Sequence, residues 1–417
     1  MKILVIGAGA AGLVAAKYAL QNNHDCVVID MRSELGGTWV YTDDVDLDKY
    51  GFPVYSATYK SLKANIPKEV MGYPDFPISD KLPTYPTNNE MKEFLKDYAD
   101  YNNLNKLFKF NCIVTKIEPI NKHQWMTYYT DKVKKLNYSE IFDVVMLCSG
   151  NYNEGNMPKN IKGTDIFKGD QFHSRQYRSP DNYKNKIVLI IGAGPSGVDL
   201  ALEISTTAKA VLLSNHSDIL TSKYPDNVHR KPDIKEIFEN DVEFVDGNVS
   251  KVDVIFYCTG FNYSYPYLHE SCGIRINDNH ITPLYKHMIH MERPTMCMIG
   301  IPVHVCAFPM FDLQCRFYMK YLNGEMHLPS LEVMRKEEEN EINTKMLKGY
   351  RERDFHKMGC FQQEYYDSLA NLAGIKSLPP VIAKVRDCSF KRFYENLMTY
   401  RSDRYKIVDD ESFVHIV

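Results

Sequence analysis

The sequence predicts an α/β fold of two nested three-layer domains, the first of them discontinuous in sequence. Three observations carry this. An apolar, β-branched run, KILVI, runs into a glycine-rich turn and then a helix near residue 7. The same succession returns near residue 192, after KIVLI. Three further apolar runs each meet a glycine: DVVMLCSGNY (143–152), KVDVIFYCTGF (251–261) and ERPTMCMIGIP (292–302).

The first turn is Gly7-Ala8-Gly9-Ala10-Ala11-Gly12, with the spacing GxGxxG. Gly7 permits the tight turn, Gly9 lets a pyrophosphate approach the backbone, and Gly12 lets the helix pack against the strand. The helix N-terminus offers free N–H groups and the positive end of its dipole. The next strand, CVVID, ends in Asp30, about 20 residues on, where a carboxylate holds an adenosine ribose hydroxyl. The opening run also resembles a signal peptide, but its β-branched strand and its glycine spacing favour strand–turn–helix.

ELGGTW (34–39) follows, and its glycine pair gives the backbone freedom beside a bound cofactor, so Gly37, Thr38 and Trp39 join the candidate set. Residues 40–90 read as long loops, of the kind that carry function. NNEMKEFLKDYADYNN reads as a helix, with Met91, Phe94, Leu95 and Tyr98 at helical spacing. Strands are expected at IVTKIEPI and WMTYYTD. DVVMLCSGNY then returns the chain to the cofactor.

The second turn is Gly192-Ala193-Gly194-Pro195-Ser196-Gly197, followed by the helix VDLALEISTTA, which carries Asp199. The next strand, AVLLS, ends in Ser214, Asn215 and His216 with no acid, and Lys223 follows. An acid there would repel a 2′-phosphate, so this site reads as one for NADPH. Thr259-Gly260 mirrors Ser149-Gly150 at the junctions between domains. With 22 Gly in 417 residues, one GxGxxG arises by chance about 0.06 times. Two, each between strand and helix, define two dinucleotide-binding, Rossmann-like domains: residues 1–160 with 288–417 for FAD, and 161–287, inserted, for NADPH. Residues 331–356 are heavily charged and read as a solvated helix face.

Composition narrows the function. A net charge of −3 gives no electrostatic case for nucleic acid or an anionic membrane. Ten Cys with no CxxC argue against a zinc ribbon or a dithiol redox centre. No metal site is expected, and His287, His290 and His304 read as structural because they lack ligand spacing. No run is long and apolar enough to span a membrane. The expected location is soluble and cytoplasmic, or secreted if a leader was removed; a homo-oligomer is left open.

The chain resembles the flavin-containing monooxygenases. The resemblance rests on GAGAAG, GGTW, KANIPKEVMGYPDFP (63–77), FKGDQFHSRQYR (167–178), GAGPSG and CTGF. FKGDQFHSRQYR fits the family identifier through Phe167, Gly169, His173 and Tyr177; related Baeyer–Villiger enzymes carry Trp at the last position. The length resembles the soluble insect type, nearest the pyrrolizidine-alkaloid N-oxygenases of alkaloid-feeding insects such as grasshoppers. The resemblance implies FAD and NADPH as cofactors and O2 and a soft nucleophile as substrates. It implies a C4a-hydroperoxyflavin that oxygenates a tertiary amine in detoxification, with S-oxygenation, Baeyer–Villiger chemistry or plain flavin reduction as alternatives. It also points to Asn65 as the catalytic residue beside the flavin. Asp30 stands where many members have Glu, and Lys223 near where Arg is common. FKGDQFHSRQYR is expected to link the two domains, with Gly169 permitting a turn and His173 and Tyr177 packed beneath the second nucleotide site.

Overall fold

The structure is a computed structural model and describes residues 1–216 and 222–417. The first sheet has seven strands, in the order Leu284–Tyr285, Ile289–His290, Met296–Met298, Val144–Leu147, Lys2–Ile6, Asp25–Ile29, Phe108–Lys109. The last five run parallel, and the first two form an antiparallel edge. Lys2–Ile6 lies inside this sheet, which is why its sequence is apolar on both faces. Its alternate residues feed two cores. Ile3 and Val5 pack with helices, while Leu4 and Ile6 pack with Trp125, Tyr129 and Phe142. The latter three come from an antiparallel sheet of Cys112–Pro119, Trp125–Asp131 and Leu136–Phe142.

Helix α1 (Ala10–Gln21) is rich in Ala and almost wholly buried, so it sits close to the sheet. Helix α2 (Asn88–Tyr101) starts at Thr87, which forms a reciprocal capping box with Glu90 and so satisfies two free N–H groups. It buries Met91, Phe94, Leu95 and Tyr98, the residues that the spacing picks out.

The second sheet repeats the plan. Its order is Val228–Lys231, Ala210–Ser214, Ile187–Ile191, Val254–Tyr257, Asp170–His173, all parallel. Val188 and Ile190 face helix α3 (Pro195–Ser205). Leu189 and Ile191 face Ile237, Val242 and Phe244 of a small antiparallel sheet. FKGDQFHSRQYR is therefore more than a connection: Asp170–His173 is the edge strand beside Val254–Tyr257, and Ser174–Gln176 is a 3₁₀ turn. Gly169 is not in the left-handed region. A Cβ there would lie 2.4 Å from the Asp253 carbonyl oxygen, so glycine serves close packing rather than a turn.

Helices α4 (Ala307–Leu322), α5 (Leu331–Leu347), α6 (Gln362–Ala373) and α7 (Val381–Glu395) follow. Helix α4 packs on α1, and α6 on α4. Helix α5 is largely the solvated face that its charge suggests, with most of its residues exposed or half-buried. Its inner side buries Lys345, which donates to the Phe355 carbonyl and pairs with Glu341, and Glu341 accepts from buried His287 at 2.9 Å. A charged run is thus fixed by buried polar partners. Among the described residues, no helix is long and apolar enough to cross a membrane, and no group of side chains is arranged to hold a metal.

Candidate active site between two glycine turns

The two turns are built alike. Gly7 has φ +106° and Gly192 φ +100°. A Cβ on either would lie 2.5 Å from a carbonyl oxygen, that of Cys148 or of Cys258. The third glycines admit no side chain either: a Cβ on Gly12 would meet the Gly7 carbonyl oxygen at 1.8 Å, and one on Gly197 the Gly192 oxygen at 1.9 Å. Each middle glycine caps its helix with no side-chain hydrogen bond, so the first N–H groups of α1 and α3 keep their free donors. At Gly194 a Cβ would meet nothing within 4 Å. That cradle is open, and the donor set suits a pyrophosphate.

The GGTW segment docks on the first turn. Gly36 N–H donates to the Ala8 carbonyl at 2.9 Å. A Cβ on Gly37 would lie 2.8 Å from Gly9 Cα. The Thr38 carbonyl accepts from the Thr58 hydroxyl, and Trp39 is half-buried. Asp30 is buried at the end of Asp25–Ile29; it accepts from Ala8 N–H at 2.6 Å and Arg32 N–H at 2.7 Å. A carboxylate has about four lone-pair directions, so others remain for a ribose. Ala10 and Ala11 open α1, and the Ala10 carbonyl accepts from Tyr73 at 2.7 Å.

Around the second turn the fold divides the predicted residues. Gly194 and Ser196 are exposed at the mouth of α3. Asp199 is not free for a nucleotide: its carboxylate accepts from Tyr59 at 2.8 Å and from Arg401 at 2.9 and 3.1 Å. The Ser214 hydroxyl turns inward and donates to the Pro232 carbonyl at 2.8 Å. The sequence shows no acid after AVLLS, yet the fold brings Asp233 to 2.5 Å from His216. It also sets Lys231 in parallel register beside Ser214. Lys223 is exposed. Lys231 was missed because VHRK alternates poorly and does not read as a strand. Thr221, next to the pair Ser222-Lys223, lies outside the described residues.

The two junctions touch. Glu154–Gly155 pairs antiparallel with Phe261–Asn262, and Thr259 and Asn156 exchange hydrogen bonds through their backbone carbonyls. Buried His173 locks this crossing. Arg175 N–H donates to Nδ1 at 3.1 Å, which leaves Nε2–H to donate to the Gly260 carbonyl at 2.9 Å. A Cβ on Gly155 would strike its ring at 2.5 Å. Burial holds the His173 pKa below its ordinary value, so the ring is neutral and both its nitrogens are occupied. Tyr177 is fully buried and donates to Glu203 at 3.0 Å.

Asn65 is exposed at a cleft that it lines with Pro195, Phe390 and Phe393. The cleft joins the long loop after the first turn, the first residue of α3, and α7. Phe390 and Phe393 were missed by sequence reading, because an aromatic pair on a helix carries no signal that separates cleft from core.

Comparisons with known proteins agree with this geometry. Residues 1–223 and 216–390 match the flavin-binding monooxygenase-like family. The flavin-containing monooxygenase FMO GS-OX4 of Arabidopsis thaliana is 34% identical over 414 residues, covering 95% of this chain and 88% of that one. Senecionine N-oxygenase of Tyria jacobaeae is 30% identical over 420 residues, covering 99% and 91%. The solved structure of S-allyl-L-cysteine S-oxygenase from Allium sativum superposes with a TM-score of 0.89 at 30% identity, covering 96% and 94%.

Proposed function

The chain belongs to the flavin-binding monooxygenase-like family, and on that premise we propose that it N-oxygenates a tertiary amine, such as a pyrrolizidine alkaloid, with NADPH and O2. FAD, the flavin of this family, takes the first turn, and NADPH takes the second. The FAD domain is residues 1–160 with 288–417, and the NADPH domain is 161–287. The observation that carries the reading is the meeting of Asn65 with Pro195 in one cleft, which sets a polar amide of the first domain against the second nucleotide turn.

Bound flavin supplies the oxygen-transfer chemistry, for which the protein has no side chain of its own. The residues supply the rest. The open N–H groups of α1, with Gly9 and Gly37 closely opposed, hold the diphosphate of FAD, and Asp30 holds a ribose. Gly194 and the N–H groups of α3 hold the second pyrophosphate. A 2′-phosphate would lie at the end of Ala210–Ser214, where Lys231 stands in register beside Ser214. Asn65 donates a hydrogen bond in the cleft without releasing a proton. Phe390 and Phe393 give the cleft its apolar side.

S-oxygenation is the second reading, and a specific observation favours it: a relative of 94% mutual coverage is named for it. Baeyer–Villiger chemistry fits less well, because Tyr177 stands where the related Baeyer–Villiger enzymes carry Trp. The test is NADPH and O2 consumption by the purified flavoprotein with tertiary amines, pyrrolizidine alkaloids and thioethers, with product measured in parallel. N-oxide formed in step with NADPH supports the reading. NADPH oxidation without oxygenated product from any of them would overturn it.

A further inference from the structure

Tyr73 lies in KANIPKEVMGYPDFP, eight residues after Asn65. Tyr73 and Phe76 close a tight turn by exchanging backbone hydrogen bonds at 3.1 and 3.0 Å. The turn grips helix α1 at two places. Asp75 at its tip pairs with buried Lys17 at 2.5 Å. The Tyr73 hydroxyl donates to the carbonyl of Ala10, the first residue of the helix, at 2.7 Å. The Tyr73 ring is buried, stacked on Tyr98 of α2 at 4.1 Å and on Phe308 of α4 at 5.4 Å between centroids. Burial also raises its pKa, so the hydroxyl keeps the proton that it donates. Tyr98 makes the contrast: its hydroxyl is buried in the same stack and has no hydrogen-bond partner.

We propose that the Tyr73–Phe76 turn positions the donors that hold the diphosphate of FAD, with Tyr73 acting through the Ala10–Ala11 peptide. This rests on the reading that the first turn holds FAD. The carbonyl that Tyr73 engages belongs to the same peptide group as the Ala11 N–H. That N–H lies in the first turn of α1, where the helix has no acceptor for it. A hydrogen bond to the carbonyl polarises the peptide and makes its N–H a better donor, by roughly 10–30%. Asp75 holds Lys17 about two helical turns further along, so the same segment fixes the direction in which α1 points its free N–H groups. Tyr73 is thus a positioning residue, and it touches α1 rather than the ligand.

The test uses the flavin-loaded full chain. On dilution, the recovery of free-flavin fluorescence gives the rate of FAD release from wild type, Tyr73→Phe and Tyr98→Phe. The affinity for NADP⁺ is measured on each loaded protein. Tyr73→Phe keeps the ring and its stack and removes only the donor. FAD release should quicken about three- to tenfold, while NADP⁺ binding holds. Tyr98→Phe removes a hydroxyl from the same stack without breaking a hydrogen bond, and its FAD release should match that of the wild type. Equal release from Tyr73→Phe and wild type overturns the proposal. So does equal quickening in Tyr98→Phe, or an equal loss of NADP⁺ affinity in Tyr73→Phe, because either marks a general loosening. Where Tyr73→Phe does not fold, Asp75→Ala carries the test, and unchanged FAD release from it overturns the proposal. A wild type that carries no FAD would instead overturn the reading of the first turn, and the proposal with it.

Discussion

The Tyr59 hydroxyl donates to Asp199 at 2.8 Å, and Arg401 grips the same carboxylate at 2.9 and 3.1 Å. Three segments far apart in sequence meet there: the loop before Asn65, helix α3 of the second nucleotide turn, and the C-terminal region. The group sits beside a second one, in which Tyr177 and Ser61 both donate to Glu203. Together they hold the two turns in one orientation. Tyr59→Phe should cost about 1 kcal/mol in urea unfolding. Asp199→Ala strands both Arg401 and Tyr59, and should cost about 3–5 kcal/mol. Asp199→Ala and Arg401→Ala should be strongly non-additive in a double-mutant cycle. Additive losses would show that the three residues do not act as a unit.

The glycines separate binding from folding. Gly194→Ala adds a methyl where nothing lies within 4 Å, so stability should fall by only about 0.5–1 kcal/mol while the KM for NADPH rises. Gly197→Ala puts a methyl 1.9 Å from the Gly192 carbonyl oxygen and should cost at least about 3 kcal/mol. Melting curves and NADPH titrations on the two variants check this. Equal effects on both quantities would remove Gly194 from the nucleotide site.

His173 is a lock and not a base. His173→Gln should lose about 1–2 kcal/mol of stability, through the bonds to Arg175 N–H and the Gly260 carbonyl. Its turnover per folded molecule should stay near that of the wild type. A fall of about 10²–10⁴ in kcat, the range for loss of a general base, would contradict this.

His280 gives a pH dependence. It is buried beneath α5, with Glu352 at 3.3 Å and Glu338 at 3.8 Å, and it faces the rings of Phe355 and His356. Burial opposes its charge, but the two carboxylates outweigh burial and raise its pKa above the ordinary value. His356 behind it is neutral: burial and then the charges of His287, His280 and Lys345 hold its pKa well down. A raised pKa means that the folded state binds the proton more tightly than the unfolded chain. The stabilisation is full below the ordinary histidine pKa of about 6.5 and is lost as pH rises through the folded value. The stability gap between wild type and His280→Gln should therefore be widest below about pH 6.5 and shrink as the pH rises above it. A gap that widens with pH would refute it.

Much of the site is legible in the sequence because glycine demands are local. The strand, the turn and the missing Cβ atoms of GAGAAG and GAGPSG are set within a dozen or so residues, so spacing alone finds them. Met91, Phe94, Leu95 and Tyr98 were equally plain, because one face of α2 is buried and the other is not. Relationships between distant segments were not legible. Nothing in VDLALEIS says that Asp199 pairs with Arg401 rather than meeting a nucleotide. Ser214 looked available because the strand hides where its hydroxyl turns. Leu136–Phe142 escaped notice because it is an exposed edge strand, with no apolar alternation to mark it. Asp170–His173 escaped because a four-residue strand at a sheet edge carries almost no pattern.

Asn65 and the second turn are proposed to form one oxygenating cleft. This is tested by the oxygenated product formed per NADPH consumed, in wild type and in Asn65→Ser, a substitution at an exposed position. Asn65→Ser should still oxidise NADPH while product per NADPH falls about tenfold or more, with the missing electrons going to reduce O2 unproductively. Coupling equal to that of the wild type would contradict it.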